Sequence, residues 1–196
     1  MIKIGITGGI GSGKTIVSEL LRVHDIPVFD ADKEAKIIND TSPIVRKKLI
    51  DLFGNDLYNG KLLNRKKLAS YIFSDEVLLE KVNAIIHPEV ARTFIRWVEN
   101  RKRQPIVAIE AALLIEAKLH HLVDKTITVH APYETRINRV IKRDGVERSA
   151  VLARMQKQLS DNKKMALSDF VIYNEGNRSL IVQVEEMLAT FERKLS

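Results

Sequence analysis

The chain has 196 residues, of which 45% are apolar and 29% charged, with a formal net charge of +7, and this composition predicts a globular protein with one sizeable core. It contains no cysteine, which excludes disulfides, thiolate zinc sites and cysteine nucleophiles. The richest apolar stretch (106–117) is too short to cross a bilayer, and residues 1–7 lack a signal-peptide core, so we expect a cytoplasmic protein with no membrane partner.

The chain begins with a strand, a glycine-rich loop and a helix. Isoleucines alternate along residues 2–6, which predicts the strand, and apolar residues recur at helical spacing over 14–24. Between them, residues 8–15 match the P-loop pattern G-x-x-x-x-G-K-T in full. The motif therefore stands between a strand and a helix, which is the context that a phosphate-binding loop requires.

This loop predicts an ATP site. Its backbone N–H groups and the following helix dipole favour an anion, Lys14 is expected to reach the β- and γ-phosphates, and the Thr15 hydroxyl is expected to bind Mg²⁺. The predicted ATP-binding residues are Gly8, Gly9, Ile10, Gly11, Ser12, Gly13, Lys14, Thr15 and Ile16. The chain has no Asn-Lys-x-Asp segment of the kind that reads guanine in GTPases, so a small-molecule kinase is favoured.

A second strand is predicted over 26–32, and it ends in two acids. If the strand continues to its end, Asp30 and Asp32 share a face near the carboxyl edge of the sheet. Asp32 would then orient an acceptor hydroxyl and accept its proton. The alternative is that these acids cap the helix that follows.

The next strand is far away in sequence. From about residue 40 to 104 we find only helical patterns, broken by turn signals at 58–61 and 87–88. This length predicts a helical insertion at the carboxyl edge of the sheet, where open α/β sheets bind ligands. Arg65 is a basic residue of this insertion, and His87 is either a ligand or a residue at a helix N-terminus.

The third strand is predicted within 105–116 and is expected to become helical at its alanines. Glu110 follows four apolar residues, as the acid of a Walker-B strand does, and it is expected to hold Mg²⁺ directly or through water. The alternative for Glu110 is a surface acid on the tip of a strand.

A fourth strand (125–131) leads into a basic helix. Arg136, Arg139 and Arg143 are three and four residues apart, so they share a helix face, which favours a bound polyphosphate or a solvated basic surface. The polar helical stretch that follows (144–164) is typical of a lid that closes over ATP.

A fifth strand (169–174) and an amphipathic helix complete the pattern. In that helix Ile181, Val184, Leu188, Phe191 and Leu195 occupy one face. The predicted fold is an α/β P-loop NTPase-type protein with a five-stranded parallel sheet flanked by helices. Its predicted domains are a nucleotide-binding core (1–40 and 104–196), which includes a lid at about 139–165, and the helical substrate-binding insertion (41–103).

Seven segments of the sequence together resemble the dephospho-CoA kinase family, and the resemblance extends from residue 3 to about 188. The segments are TGGIGSGKT, FDADKEA, LLNRKKLASYIF, VNAIIHPEV, ALLIEAKL, RINRVIKRDG and SDFVIYNEG. The resemblance implies ATP- and Mg²⁺-dependent phosphorylation of the ribose 3′-hydroxyl of dephospho-CoA. It implies that Asp32 is the base, that Arg139 and Arg143 are lid-side arginines, and that Arg65 and His87 lie in the substrate domain.

The sequence departs from the family pattern at four positions. Glu110 stands where an Asp is usual, Ala112 where a Pro is usual, Arg136 where a Gln is common, and Tyr173 where an Asp is usual. A longer carboxylate can still hold a metal-bound water, so we expect an active site of altered detail.

Two rival functions remain open at this point. Another nucleoside or nucleotide kinase would share the core and the lid, and a nucleic-acid-binding protein would account for the net charge of +7. The loop, the acids and the arginines have no role in the second of these. We therefore expect ATP and dephospho-CoA as partners, without nucleic acid and without an obligate protein partner.

Overall fold

The computed structural model describes residues 1–73 and 75–192, which form two compact units. The first, here called the core unit, comprises residues 1–29 and those from 101 onward, and the second, the helical unit, comprises residues 30–100. Within the described residues, no helix is long and apolar enough to cross a membrane. Leu195, which was assigned to the face of the last helix, lies outside the described residues.

The strands form one large sheet and one small one. They are β1 (Ile2–Thr7), β2 (Val28–Asp30), β3 (Tyr58–Asn59), β4 (Leu62–Leu63), β5 (Ile106–Glu110), β6 (Lys125–His130) and β7 (Phe170–Tyr173). The large sheet is parallel and has the order β2-β5-β1-β6-β7. The prediction of a five-stranded parallel sheet flanked by helices is therefore confirmed.

The α-helices of the described residues follow the predicted alternation with strands. They are α1 (Lys14–Val23), α2 (Ala31–Thr41), α3 (Pro43–Phe53), α4 (Arg65–Ile72), α5 (Glu76–Glu99), α6 (Tyr133–Asp144), α7 (Arg148–Gln156), α8 (Asp161–Ala166) and α9 (Leu180–Glu192). Short 3₁₀-helices occupy Asn55–Leu57 and Leu119–Leu122.

The main hydrophobic core lies between the central strands and the helices α1 and α9. Ile4 and Ile6 of β1 are fully buried and pack in one cluster with Val17 and Leu21 of α1 and with Phe191 of α9. All five residues of β5 are buried, as expected for a central strand that is covered on both faces. This packing fixes the carboxyl ends of β1 and β5, which lie beside the loop that follows β1.

The second strand is shorter than the sequence predicted. β2 ends at Asp30, whose side chain accepts a hydrogen bond from the N–H of Lys33 at 2.9 Å and caps α2. The expectation that Asp30 and Asp32 share a strand face is therefore wrong, because the cap ends the strand two residues early. Asp32 lies instead in the exposed first turn of α2.

The helix expected after β5 is also absent from the structure, which has turns over residues 112–118. Leu114 of this segment is fully buried and packs over Gly5 of β1, where a Cβ would lie 2.7 Å from a Leu114 methyl carbon. Lys118 then adopts a φ of 58°. Packing of Leu114 against the central strand and this left-handed residue prevent a regular helix.

Two features of the helical unit differ from the prediction. The turn predicted at 58–61 is present at residues 60 and 61, but it joins the short strands β3 and β4 in a segment where only helical patterns were predicted. The predicted turn at 87–88 is wrong, because Pro88 lies inside the 24-residue helix α5. Pro88 and Ala84 are both exposed, so the proline lies on the solvent-exposed face of the helix, where it costs one helical hydrogen bond. His87 is consequently a mid-helix residue and not an N-terminal one.

Asp40 joins the hairpin to the helices of the same unit. Its Oδ1 accepts the N–H of Leu63 at 2.9 Å, and its Oδ2 accepts Nη2 of Arg65 at 2.5 Å. Burial raises the pKa of the Asp40 carboxyl, but these two donors outweigh it and leave the pKa below its ordinary value. Ionised Asp40 therefore stabilises the helical unit.

We predict that Asp40→Ala lowers the free energy of unfolding by about 1–3 kcal/mol at pH 7, because two hydrogen bonds to a charged, largely covered group are lost. The pKa of Asp40 is lower in the folded state than in the unfolded state. The stability difference between wild type and variant is therefore complete above the unfolded-state pKa, and it disappears below about pH 4 as the pH falls through the folded-state pKa. Urea unfolding at pH 7 and pH 3 measures it. Asp51→Ala, an exposed acid of α3, is the control, and an equal loss there would contradict the assignment.

Candidate active site

The loop between β1 and α1 passes through conformations that glycine adopts readily. Gly11 and Gly13 have φ angles of 78° and 97°, which disfavour a side chain. A Cβ on Gly11 would lie 2.4 Å from the carbonyl oxygen of Arg136, and one on Gly13 would lie 2.2 Å from Nδ2 of Asn174. Both backbone conformation and packing therefore require glycine at these two positions.

Lys14 is the first residue of α1, and its ammonium lies over the loop. The buried Nζ donates to the carbonyl oxygens of Gly8 at 3.1 Å and Gly9 at 3.4 Å. A cation is thus held at the N-terminus of a helix, where unpaired backbone N–H groups and the helix dipole already favour negative charge. This arrangement can bind a phosphate group, as the motif predicted.

A hydroxyl and a carboxylate meet beside the loop. The parallel register pairs Ile6 with Glu110, so the end of β5 lies next to the start of the loop. Oγ1 of Thr15 donates to Oε1 of Glu110 at 3.1 Å, and Glu110 is only 8% exposed. Glu110 is therefore buried, in contrast to the alternative that it is an acid on an exposed strand tip.

The three arginines of α6 occupy different environments. Arg136 is buried and pairs with Asp161 at 2.8 Å. Arg139 is half-buried, and its Nη1 lies 3.5 Å from the carbonyl oxygens of both Gly11 and Ser12. Arg143 is exposed, and its ion pair with Asp144 raises the pKa of the Arg143 guanidinium. Two of the three thus contact the loop, and the third lies at the exposed end of the helix.

Asn174 is a residue of the site that the sequence argument did not select. It follows β7, is 8% exposed, and donates through Nδ2 to the carbonyl oxygen of Ser12 at 2.9 Å. Its Oδ1 accepts Nη2 of Arg139 at 3.3 Å. The available signal was its position after a parallel strand, since such strand ends converge at one edge of a sheet.

The remaining predicted site residues belong to the helical unit. Asp32 is exposed in the first turn of α2. Arg65 donates to Asp40 and to the carbonyl oxygen of Lys36 at 3.0 Å. Burial lowers the pKa of His87, so its imidazole is neutral at pH 7 and can donate or accept a hydrogen bond without attracting an anion.

A cavity of about 670 Å³ lies within the helical unit, between α2, the start of α3 and the second half of α5. Partly exposed isoleucines provide an apolar wall, namely Ile37, Ile44 and Ile95. Charged side chains of both signs line the same cavity, namely Arg92, Arg96, Glu34, Glu89 and Glu99. Its volume is that of a small-molecule site, and its lining combines an apolar wall with side chains of both charges.

The solved structures similar to this chain include several kinases. A Thermus thermophilus protein of known crystal structure is 35% identical, with a TM-score of 0.83 over 100% of this chain and 98% of that one. A dephospho-CoA kinase from Campylobacter jejuni (20% identity, TM-score 0.71, 99% and 98% covered) shares the fold. The fold also resembles shikimate kinase from Acinetobacter baumannii, at 16% identity and a TM-score of 0.55 over 100% and 96%.

Sequence comparisons assign the family. The CoaE family model, described as dephospho-CoA kinase, matches residues 2–179. A dephospho-CoA kinase from Bacteroides fragilis is 41% identical over 194 residues, covering 99% of this chain and 95% of the relative. Another from Porphyromonas gingivalis is 42% identical over 198 residues, covering 99% and 96%. The chain therefore belongs to the dephospho-CoA kinase family.

Proposed function

We propose that this chain transfers the γ-phosphate of ATP to the ribose 3′-hydroxyl of dephospho-CoA, giving CoA and ADP in the final step of coenzyme A biosynthesis. The observation that carries this proposal is the phosphate loop, with Lys14 buried over it, in a chain that matches the family along almost its whole length. The relatives do not favour another nucleoside or nucleotide kinase.

On the donor side, the loop amides and Lys14 bind the β- and γ-phosphates of ATP. Arg139 already lies at the loop carbonyls, so we assign it to the stabilisation of charge on the transferred phosphoryl group. Arg143 lies in the exposed last turn of α6, and its assignment to the catalytic group depends on the family pattern. Both arginines lie in the N-terminal part of the segment 139–165, and we assign this part to the lid.

The proposed Mg²⁺ site is supported by two oxygen-bearing side chains beside the loop. The Thr15 hydroxyl and the Glu110 carboxylate are both hard oxygen donors, and they lie within 3.1 Å of each other. Mg²⁺ prefers such oxygens and is typically held by one or two protein groups together with substrate phosphates. Thr15 would hold Mg²⁺, and Glu110 would hold it directly or through a water. The ion would neutralise charge on the phosphates.

On the acceptor side, we assign the general base to Asp32. An exposed carboxylate in the first turn of a helix can be reached by a substrate hydroxyl, can orient it, and can accept its proton as the phosphoryl group transfers. The helical insertion (41–103) is assigned to dephospho-CoA. The isoleucine wall of the cavity would take its apolar arm, and Arg65 and His87 are assigned to substrate binding as well.

The net charge of +7 is accounted for by two polyanionic substrates, and no nucleic-acid partner is needed. We place the enzyme in the cytoplasm, as expected of a metabolic kinase.

We predict that the wild-type protein with Mg²⁺ and ATP releases ADP rapidly only when dephospho-CoA is the acceptor, and slowly with adenosine, AMP or shikimate. A coupled assay of ADP release measures this, and rapid turnover of another acceptor would overturn the substrate assignment.

We predict that Lys14→Met lowers kcat/KM at least about a hundredfold with dephospho-CoA, because a positioned charge on the phosphates is lost. The same assay measures the loss, and full activity of the variant would overturn the role of the loop.

We predict that Asp32→Asn lowers kcat about 10²–10⁴-fold and changes KM for dephospho-CoA little, because the amide fills the same space but cannot accept the proton. Steady-state kinetics with both substrates varied measures the two constants. The matched control is Asp30→Asn, since asparagine caps a helix as well as aspartate does. Equal losses in both variants would indicate damage to α2 instead of the loss of a base.

A further inference from the structure

The segment 158–164 forms the C-terminal part of the predicted lid, but a buried lysine fixes it to the turns that follow β5. Lys164 of α8 is 0% exposed, and its Nζ donates to the carbonyl oxygen of Ala112 at 2.6 Å. The same Nζ lies 3.0 Å from Oε1 of Glu116, which also accepts the N–H of Leu159 at 2.8 Å. Separating these groups would strand a buried charge, which is costly.

The same segment contacts the phosphate loop. Oε1 of Gln158 accepts the N–H of Ile10 at 2.9 Å. Asp161 pairs with Arg136 at 2.8 Å, and this pair packs against Gly9, where a Cβ would lie 1.6 Å from Nη1 of Arg136 and 3.1 Å from a carboxylate oxygen of Asp161. The first half of the loop is thus supported by residues that are far away in sequence.

These contacts act on the shape of the loop. The N–H of Ile10 is directed at Gln158, so in this conformation it does not contribute to a phosphate site. Gly9 accepts the N–H of Ser12 at 3.1 Å within the loop, while the Arg136–Asp161 pair covers its Cα. A loop whose amides must converge on a phosphate depends on such fixed neighbours, because the binding energy is lost if the loop has to be ordered first.

We propose that Gln158, together with the Arg136–Asp161 pair, is a positioning residue for the phosphate loop, and that segment 158–164 is a fixed support of the core instead of a moving part of the lid. The proposal rests on the proposed function only in that the loop holds the β-phosphate of a nucleotide. It predicts a specific defect in binding that phosphate when the support is removed.

The test compares ADP with AMP, because the two nucleotides differ by the phosphate that the loop would hold. Calorimetry on the full chain gives Kd for each nucleotide in the wild type and in Gln158→Leu, which has similar volume but no acceptor for the Ile10 N–H. We expect ADP to bind about tenfold more weakly in the variant and AMP to bind within about twofold of wild type. The matched control is Asn162→Ala, an exposed neighbour on α8, which should change neither affinity.

Thermal melting of the same variants separates positioning from folding. If Gln158→Leu is poorly folded, Gln158→Asn keeps an amide that is too short to reach Ile10 and should show the same ADP-specific loss. Equal weakening of ADP and AMP, or no weakening in a folded variant, would overturn the proposal. Normal ADP binding by a wild type that does not phosphorylate dephospho-CoA would overturn only the acceptor assignment.

Discussion

One physical constraint governs the site, which is that a short loop must present converging N–H groups and a lysine to a polyanion without collapsing. Glycine at positions 11 and 13 satisfies it, because both residues have positive φ and neither has room for a side chain. The ammonium of Lys14 bonds to carbonyl oxygens of the loop, and the N-terminus of α1 adds a favourable dipole. The strands β1 and β5, buried in the core, fix the position from which this loop begins.

The groups around the loop come from distant parts of the chain and meet there because parallel strands share a carboxyl edge. The register of β5 with β1 places Glu110 beside the start of the loop. Asn174 comes directly after β7, the strand at one edge of the sheet. Arg139 is held between Asn174 and the loop carbonyls. The core unit therefore brings basic side chains, the Thr15 hydroxyl and the Glu110 carboxylate together around the loop, and the helical unit contains a cavity of its own.

The sequence alone was sufficient for the strand-loop-helix order, because the motif that contains Lys14 is local and the strands have strong apolar patterns. It was insufficient where local signals compete. Asp30 could end a strand or cap a helix, and Pro88 could break α5 or lie harmlessly on its exposed face. Gln158 could not be identified, because its contact with Ile10 spans more than a hundred residues. Asn174 offered only its position after β7, and its contact with Ser12 is equally distant in sequence.

The position of the transferred phosphate is the most direct test of transfer to the 3′-hydroxyl of the ribose of dephospho-CoA. Two acceptor analogues, 2′-deoxy and 3′-deoxy dephospho-CoA, would each be incubated with the wild-type enzyme, ATP and Mg²⁺, and the products weighed by mass spectrometry. We expect that the 2′-deoxy analogue gains one phosphate and the 3′-deoxy analogue gains none. Phosphorylation of the 3′-deoxy analogue, or of neither, would contradict it.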